Sequence, residues 1–291
     1  MQRPEGIVGF TPDPELYPFE SRWFESRVGP VHYVDEGEGR PLLMLHGNPD
    51  WSFLYRKFVS ALRGEFRCVA PDYPGFGLSI HPEGYGYTAA EHADVIAELV
   101  DDLELDEMVI VGSDWGGPIG LEVATRAPER VRGLVMGNTW FWPVASARQR
   151  AFAEEMSSPE RQREILEENY FIETKMKGQL QVELSERELE HYTAVVPTPE
   201  SRQGIAVFPR EILEAEGWLA DLAERVPARL AETPVVLTFG RKDPSLGAEE
   251  VVERWRATFD DATYVELPGA SHYIQEDAPE AMIAAIRATF A

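Results

Sequence analysis

The sequence predicts an α/β fold in which a mostly parallel sheet, flanked by helices, is interrupted by a helical insertion. Three observations predict it. Short apolar runs alternate with amphipathic stretches over residues 31–136, the same alternation returns over residues 234–290, and the stretch between them holds helix-forming residues without a convincing strand. Alternating strands and helices are typical of βαβ units and parallel sheets. We therefore expect one main domain in two parts, residues 1–139 and 229–291, and a helical cap over residues 140–228.

The elements of the first part follow from the apolar runs and from the residues that end them. The buried run Pro41-Leu-Leu-Met-Leu45 stops at His46-Gly47, and Thr88-Ala-Ala-Glu91 is a capping box that opens a helix reaching about residue 103. Strands are predicted over residues 31–34, 41–45, 66–70, 108–111 and 131–136, and further helices over residues 51–62 and 117–126.

The insertion and the second part complete the predicted fold. In the insertion the helical pattern is broken by prolines, namely Pro143, Pro159, Pro197, Pro199 and Pro209. The second part is predicted to form strands over 234–239 and 263–267 and helices over 248–258 and 279–290, with Glu276 and Asp277 beginning the last helix. An insertion at this point can cover the carboxyl ends of the strands, where open α/β sheets bind ligands.

Composition limits what the chain can bind. The 291 residues include 27 Lys and Arg against 51 Asp and Glu, which gives a formal net charge of −24. Such a surface repels phosphate backbones and anionic lipids, so we expect neither nucleic-acid nor membrane binding. Cys68 is the one cysteine, so an intrachain disulfide is impossible. No run of 18 apolar residues occurs, and we expect a cytoplasmic protein.

The motif Gly112-Ser-Asp-Trp-Gly116 lies between a predicted strand and a predicted helix. This is the pattern of a nucleophile elbow, a sharp turn that exposes one side chain at the top of the sheet, with Asp114 in the place usually held by serine. The flanking glycines leave room for that strained turn. An ordinary strand-to-helix turn in which Asp114 caps the helix is the alternative.

Two further residues follow in the chain order that such sites require. Asp243 lies in the loop after the strand over 234–239, and His272 lies in the loop after the strand over 263–267. Nucleophile, acid and histidine in this order, each at a strand end, predict a catalytic triad of Asp114, Asp243 and His272. Taken singly, the histidine could be a surface residue and the aspartate a turn residue.

A pair of donors is expected to face the nucleophile. The backbone N–H groups of Asn48, after His46-Gly47, and of Trp115 stand where an oxyanion hole is built. Both residues also carry side-chain donors, an amide and an indole N–H, which suit an anion in a dry pocket. The alternative is that Trp115 is plain core and Asn48 a turn residue.

An aspartate nucleophile predicts substitution at an alkyl carbon. A carboxylate is ionised at neutral pH and attacks without a base. The resulting ester of Asp114 has a carbonyl carbon that belongs to the enzyme, and water activated by His272 can attack it. Asp243 would hold the tautomer of His272. An alkylated serine would be an ether that water cannot open in this way.

Five segments carry a resemblance to a known family: HGNPDWSFLYR at 46–56, PDYPGFGLS at 71–79, SDWGG at 113–117, GNTWFWP at 137–143 and GASHYIQE at 269–276. They resemble the haloalkane dehalogenases of the α/β-hydrolase superfamily, and the likeness covers nearly the whole chain. The resemblance implies a halogenated hydrocarbon as substrate, Asp114 as nucleophile, His272 as base, and Asn48 with Trp115 as the halide-binding pair. Residues 137–138 are Gly-Asn, where some members carry the catalytic acid, so Asp243 takes that role. This combination resembles a subgroup that tends to self-associate, which implies a homo-oligomer.

An epoxide hydrolase and a non-catalytic scaffold stay open as alternatives, whereas a haloacid dehalogenase and a serine esterase do not fit the motif. An epoxide hydrolase uses the same nucleophile and needs acid donors, which Tyr170 and Tyr192 of the insertion could supply. A haloacid dehalogenase would want Arg where Trp115 stands, and a serine esterase would need Ser113 one position later in the elbow. A scaffold that binds an apolar ligand without catalysis shares the fold, because fold alone does not fix function.

The substrate cavity is expected under the insertion, with no bound cofactor. We find no metal-ligand cluster and no phosphate-binding glycine loop in the sequence, so water is the expected cosubstrate. Apolar and aromatic side chains typically line such cavities. The candidates are Trp140, Phe141, Trp142, Phe152, Phe171, Phe208 and Leu246.

Overall fold

A mixed sheet lies at the centre of the molecule. The structure is a computed structural model, and it describes Pro4 and residues 9–291. In that part of the chain the strands are β1 (Arg22–Ser26), β2 (Gly29–Glu36), β3 (Pro41–Leu45), β4 (Arg67–Pro71), β5 (Met108–Ser113), β6 (Val131–Gly137), β7 (Val235–Gly240) and β8 (Thr263–Leu267). Their order across the sheet is β1-β2-β4-β3-β5-β6-β7-β8.

The strand directions bring several loops to one edge of the sheet. The β1–β2 and β2–β4 pairs are antiparallel, whereas β3 to β8 run parallel to one another. The carboxyl ends of β3, β5, β7 and β8 therefore open on the same side, as in other open α/β sheets. Every residue of β3 and β5 is buried, because helices cover both faces of a parallel sheet. The predicted fold class is confirmed, and β1 is a strand that the sequence analysis missed.

Helices flank the sheet and fill the stretch between β6 and β7. Within residues 138–234, all of them described, the chain forms no strand. The α-helices are α1 (Arg56–Leu62), α2 (Ala89–Asp102), α3 (Gly116–Arg126), α4 (Ala147–Ser157), α5 (Pro159–Glu168), α6 (Lys177–Gln179), α7 (Glu186–Thr193), α8 (Gln203–Glu214), α9 (Glu216–Leu230), α10 (Glu249–Thr258), α11 (Ile274–Asp277) and α12 (Pro279–Phe290). A π-helix over Phe171–Met176 precedes α6.

The capping box at the start of α2 is confirmed. The Thr88 hydroxyl accepts the Glu91 N–H at 3.2 Å, and the Glu91 carboxylate accepts the Thr88 N–H at 3.0 Å. Both bonds satisfy backbone donors that the first helical turn leaves free.

Three helix boundaries differ from the prediction. The predicted helix over 51–62 is a 3₁₀ turn over Ser52–Tyr55 followed by α1. Glu276 lies in the separate short helix α11, because Pro279 disfavours a helical conformation at the residue before it and Ala278 leaves the helical region (φ −146°, ψ 47°). Helix α8 continues through Pro209 instead of ending there.

Candidate active site

Asp114 stands at the tip of the turn between β5 and α3. Its backbone is left-handed, with φ +49°, a conformation that costs energy for a residue with a side chain. A Cβ on Gly112 would lie 2.6 Å from the Gly116 carbonyl oxygen, and a Cβ on Gly116 would lie 2.0 Å from that of Leu45. Both positions therefore need glycine, as the motif predicts.

The three candidate triad residues come together at the strand ends. His272 Nε2 lies 3.6 Å from Asp114 Oδ2, and His272 Nδ1 lies 2.8 Å from Asp243 Oδ2. The histidine thus bridges the two carboxylates, one on each ring nitrogen. This is the geometry of a base that is oriented by an acid and faces a nucleophile.

Asp243 has hydrogen-bond partners in addition to His272. Its side chain is 1% exposed, Oδ1 accepts the N–H groups of Ser245 (2.8 Å) and Leu246 (3.1 Å), and Oδ2 also accepts Asn138 Nδ2 (3.1 Å). Burial raises the pKa of Asp243, but the hydrogen bond and charge of His272 and these donors outweigh burial and bring it below its usual value. The carboxylate therefore stays charged beside the histidine.

Backbone donors also hold the Asp114 carboxylate. The Asn48 N–H donates to Asp114 Oδ1 at 2.9 Å, and the Trp115 N–H is a second hydrogen-bond donor to the carboxylate. Gly47 makes this approach possible, since a Cβ there would lie 2.4 Å from the Asp114 Cβ. Oδ1 is fixed by the Asn48 N–H, and Oδ2 faces His272.

The amide of Asn48 is anchored by the helical insertion. Asn48 Nδ2 donates to the Ile205 carbonyl of α8 at 3.1 Å. That oxygen would normally accept the N–H of the residue four positions later, but Pro209 has none. The proline inside α8 thus frees an acceptor for Asn48. An amide carries two N–H bonds, so one remains for a second acceptor.

The indole of Trp115 is oriented by neighbouring rings. The Phe208 ring stacks on it at 5.3 Å with an interplanar angle of 14°, and the Trp140 ring meets it edge-on at 4.8 Å. The side chain lines the same cavity as Asp114. No hydrogen bond of its indole N–H is found among the described residues.

The charges of the site act on one another. Burial lowers the pKa of His272, but the hydrogen bond and charge of Asp243 and the charges of Asp114 and Asp50 outweigh it and raise the pKa to about 9. Burial raises the pKa of Asp114, while the charge of His272 and the N–H groups of Asn48 and Trp115 oppose that rise. A cation between carboxylates is the favoured resting arrangement.

A cavity of about 620 Å³ opens onto these residues. Four of the predicted lining residues do line it, namely Trp140, Phe152, Phe171 and Leu246. The prediction for Phe141, Trp142 and Phe208 is corrected, because none of these side chains lines the cavity. The Phe141 and Trp142 rings turn toward Trp255, at 4.7 and 6.1 Å, and Phe208 lies behind the Trp115 ring.

The side chains that alternative functions would need lie elsewhere. The Tyr192 hydroxyl is buried and donates to Glu276 Oε1 at 2.6 Å, and the Tyr170 ring lies under the Arg161 guanidinium at 3.9 Å. Neither tyrosine lines the cavity. Ser113 also lies outside the lining and contacts the Gln275 amide.

Sequence reasoning missed three features of the site. Asn138 backs Asp243, Asp50 is a carboxylic acid 3% exposed near the triad, and the Arg56 guanidinium pairs with buried Glu276. Burial and the charge of Asp114 raise the pKa of Asp50 well above its usual value. Their place in the sequence could have indicated them, because each residue lies within a segment quoted for the family resemblance.

Neither a metal site nor a membrane-spanning helix is found among the described residues. No group of three or more His, Cys, Asp and Glu side chains in residues 9–291 could hold a metal ion. In the same part of the chain no helix has the length and apolar character needed to cross a membrane.

Comparisons with known proteins indicate the family. Residues 40–279 match the family model of the alpha/beta hydrolase fold. The chain is 52% identical to Haloalkane dehalogenase 2 of Mycobacterium tuberculosis, over 96% of this chain and 98% of that protein. It is 31% identical to a cis-3-alkyl-4-alkyloxetan-2-one decarboxylase of Shewanella oneidensis, over 94% of this chain and 88% of that protein.

A solved structure gives the same assignment. A haloalkane dehalogenase from Bradyrhizobium elkani superposes with a TM-score of 0.84 at 27% identity, over 93% of this chain and 99% of that chain. Identity above half over almost the full length, together with the family model, decides the family. The chain belongs to the haloalkane dehalogenases of the α/β-hydrolase fold family, hydrolases that act on carbon–halide bonds.

Proposed function

We propose that this enzyme hydrolyses haloalkanes through a covalent ester of Asp114. Asp114 Oδ2 attacks the halogen-bearing carbon from the side opposite the halogen, the new C–O bond forms as the carbon–halogen bond breaks, and the halide leaves with the bonding pair. The observation that carries the proposal is the split environment of the carboxylate: Oδ1 accepts the Asn48 N–H at 2.9 Å, and Oδ2 faces His272 at 3.6 Å.

Water then opens the ester. His272 takes a proton from water, whose oxygen attacks the carbonyl carbon of the Asp114 ester. The tetrahedral oxyanion accepts the backbone N–H groups of Asn48 and Trp115, which already act on this carboxylate. Collapse releases the alcohol and restores the Asp114 carboxylate. Asp243 keeps Nδ1 of His272 protonated, so that Nε2 is the nitrogen that receives the proton.

The leaving halide is assigned to Asn48 and Trp115. The Asn48 amide has one N–H beyond the bond to Ile205, and no hydrogen bond of the Trp115 indole N–H is found among the described residues. Two N–H donors in a buried site stabilise a developing anion far better than they would in water. They therefore favour the transition state, in which the halide gains its charge.

Two other reactions begin with the same carboxylate. Epoxide opening needs an acid on the ring oxygen, and the two candidate tyrosines make other contacts outside the cavity lining. Attack on an oxetan-2-one, the substrate class in the name of the relative from Shewanella oneidensis, would expel a carboxylate that stays attached to the alkyl group. The haloalkane reaction is favoured by the relative with 52% identity and by the two halide donors.

The same proposal covers the remaining properties. Water is the only cosubstrate and no cofactor takes part, residues 140–228 form a cap domain over the two-part main domain, and the protein is a cytoplasmic homo-oligomer. Size-exclusion chromatography with light scattering tests the oligomer, and dialysis against a chelator followed by a bromide assay tests the absence of a metal requirement.

The decisive experiment traps the ester. We expect wild type to release bromide from 1-bromobutane, Asp114→Ala to release none, and His272→Phe to release an amount stoichiometric with enzyme while gaining a butyl group on Asp114. Peptide mass spectrometry locates that group. Asp35→Asn serves as a control, since this partly buried carboxylate pairs with Arg67 far along the sheet from the site. An unalkylated Asp114 in His272→Phe that has been exposed to bromobutane would refute the mechanism.

A further inference from the structure

The cavity lining comes from two chemically different sources. The loops at the strand ends contribute the catalytic groups, and α4 with the π-helix Phe171–Met176 contributes a second set that includes Arg148, Gln149 and Lys175. The volume of about 620 Å³ is in the range of sites that take drug-sized ligands. A substrate whose alkyl chain reaches from Asp114 to α4 therefore meets polar side chains at its far end.

Gln149 is the best-defined of these polar groups. Its side chain is buried, at 7% exposure, and lines the cavity. No hydrogen bond of its side-chain amide is found among the described residues. The amide atoms are not among the buried side-chain atoms that lack a partner, so they open onto the cavity. The Gln149 amide can therefore donate to an acceptor that a ligand brings into the cavity.

Two cations face the same cavity. Arg148 is exposed and forms no ion pair with any described residue, and Lys175, one of four lysines in a chain of net charge −24, is half-buried. Glu155 is the one carboxylate that α4 adds to the lining, and its Oε1 lies 3.0 Å from Arg161 and 3.9 Å from Lys175. The charge of Glu155 is thus shared with Arg161, which lies outside the lining.

We propose that the preferred substrates are haloalkanes with a carboxylate at the end opposite the halogen, bound by Gln149 with Arg148 and Lys175. The inference rests on the proposed function, because the halogen-bearing carbon must lie at Asp114. A carboxylate accepts hydrogen bonds from all three donors. A 2-halogenated acid is excluded as a good substrate, because its carboxylate would lie beside the charges of Asp114 and Asp243.

The test compares substrates that differ only at the far end. We measure kcat/KM by bromide release for ω-bromoalkanoates of increasing length, for their methyl esters and for 1-bromoalkanes. For wild type we expect the carboxylate to be preferred over its ester about tenfold or more, with the preference shrinking as salt screens the cations. Hexanoate should inhibit the turnover of 1-bromohexane more strongly than 1-hexanol does.

Variants connect the preference to the named side chains. We expect Gln149→Leu to lower it about tenfold, and Arg148→Gln and Lys175→Gln to lower it about fivefold each. Matched controls are Arg150→Gln, a neighbouring exposed residue of α4 outside the lining, and Lys177→Gln, whose partner is Glu173. Both should keep the wild-type preference.

The failure of this inference differs from the failure of the proposed function. Equal kcat/KM for the carboxylate and its ester, with bromide still released from 1-bromohexane, overturns the inference alone. A preference that survives in all three variants, or that disappears equally in the two controls, overturns it as well. No bromide from any substrate overturns the proposed function and this inference with it.

Discussion

Pro209 provides a test in which stability and function should change in opposite directions. Because it lies inside α8 without an N–H, the Ile205 carbonyl accepts Asn48 Nδ2 at 3.1 Å instead of a helical donor. Pro209→Ala restores the missing N–H and makes it compete with Asn48 for that oxygen. We expect a more stable protein that binds halide more weakly.

The two effects can be estimated from single interactions. Proline inside a helix is about 3 kcal/mol less favourable than alanine. The bond from Asn48, worth about 1 kcal/mol, is lost, so the free energy of unfolding should rise by about 2 kcal/mol. Loss of the anchor should weaken halide binding by about 1.4 kcal/mol, which is about tenfold. Thermal melts measure the first effect, and quenching of tryptophan fluorescence by bromide measures the second.

Two controls separate the helical hydrogen bond from other causes. Pro209 also lines the cavity, so Pro209→Val, which has an N–H and keeps most of the volume, should behave as Pro209→Ala does. Pro227→Ala in α9 should stabilise the protein without any change in halide binding, since no active-site residue uses the freed carbonyl there. Unchanged bromide affinity in a stabilised Pro209→Ala enzyme would refute the reasoning.

Two substitutions and one pH dependence test the triad and the close approach of Gly47 to Asp114. Asp243→Asn places an amide N–H against His272 Nδ1, the nitrogen that donates to Asp243 in the wild type. The alkyl-enzyme should therefore still form but hydrolyse about 10,000-fold more slowly. Loss of the bromide burst in a rapid-quench experiment would contradict this. Gly47→Ala would put a Cβ 2.4 Å from that of Asp114. Activity should therefore be lost, and the free energy of unfolding should fall by about 1–3 kcal/mol in thermal melts. An active, stable variant would argue against the close approach of Gly47 to Asp114. The pKa of His272 is about 9 with Asp114 charged. In the alkyl-enzyme Asp114 is a neutral ester, so the rate of single-turnover hydrolysis should rise with pH around a midpoint below that pKa. A midpoint at or above the pKa of His272 in the free enzyme would be inconsistent with the charge coupling.

The sequence was sufficient to predict the fold class and the residues that meet at the strand ends. Asp114, Asp243 and His272 each follow a strand, and parallel strands bring such loops to one edge whatever the details of packing. The glycines of the elbow were also readable, because a left-handed turn leaves no room for a neighbouring Cβ. Local chain geometry determines all of these features.

Features that depend on how distant elements pack were out of reach. Hydrophobicity indicates that Phe141 and Trp142 are buried, but it cannot give the direction of a ring, and both turn toward Trp255 instead of the cavity. The bond between Asn48 and Ile205 joins positions 157 residues apart and depends on where α8 lies over the sheet. The sequence shows a proline in the insertion, and only the tertiary structure shows which acceptor it frees.

In the proposed mechanism, the charges of the site also set the order of the two chemical steps. With Asp114 ionised, His272 is held as a cation by Asp243 and Asp114 together, and its pKa is about 9. Alkylation turns Asp114 into a neutral ester and removes one of the groups that raise that pKa, so His272 can give up its proton as the halide leaves. The neutral imidazole then takes a proton from water, and hydrolysis returns Asp114 as a carboxylate beside the new imidazolium. Under this mechanism the nucleophile controls the strength of its own base: His272 would be a poor base while Asp114 is free and a good one once the ester needs water.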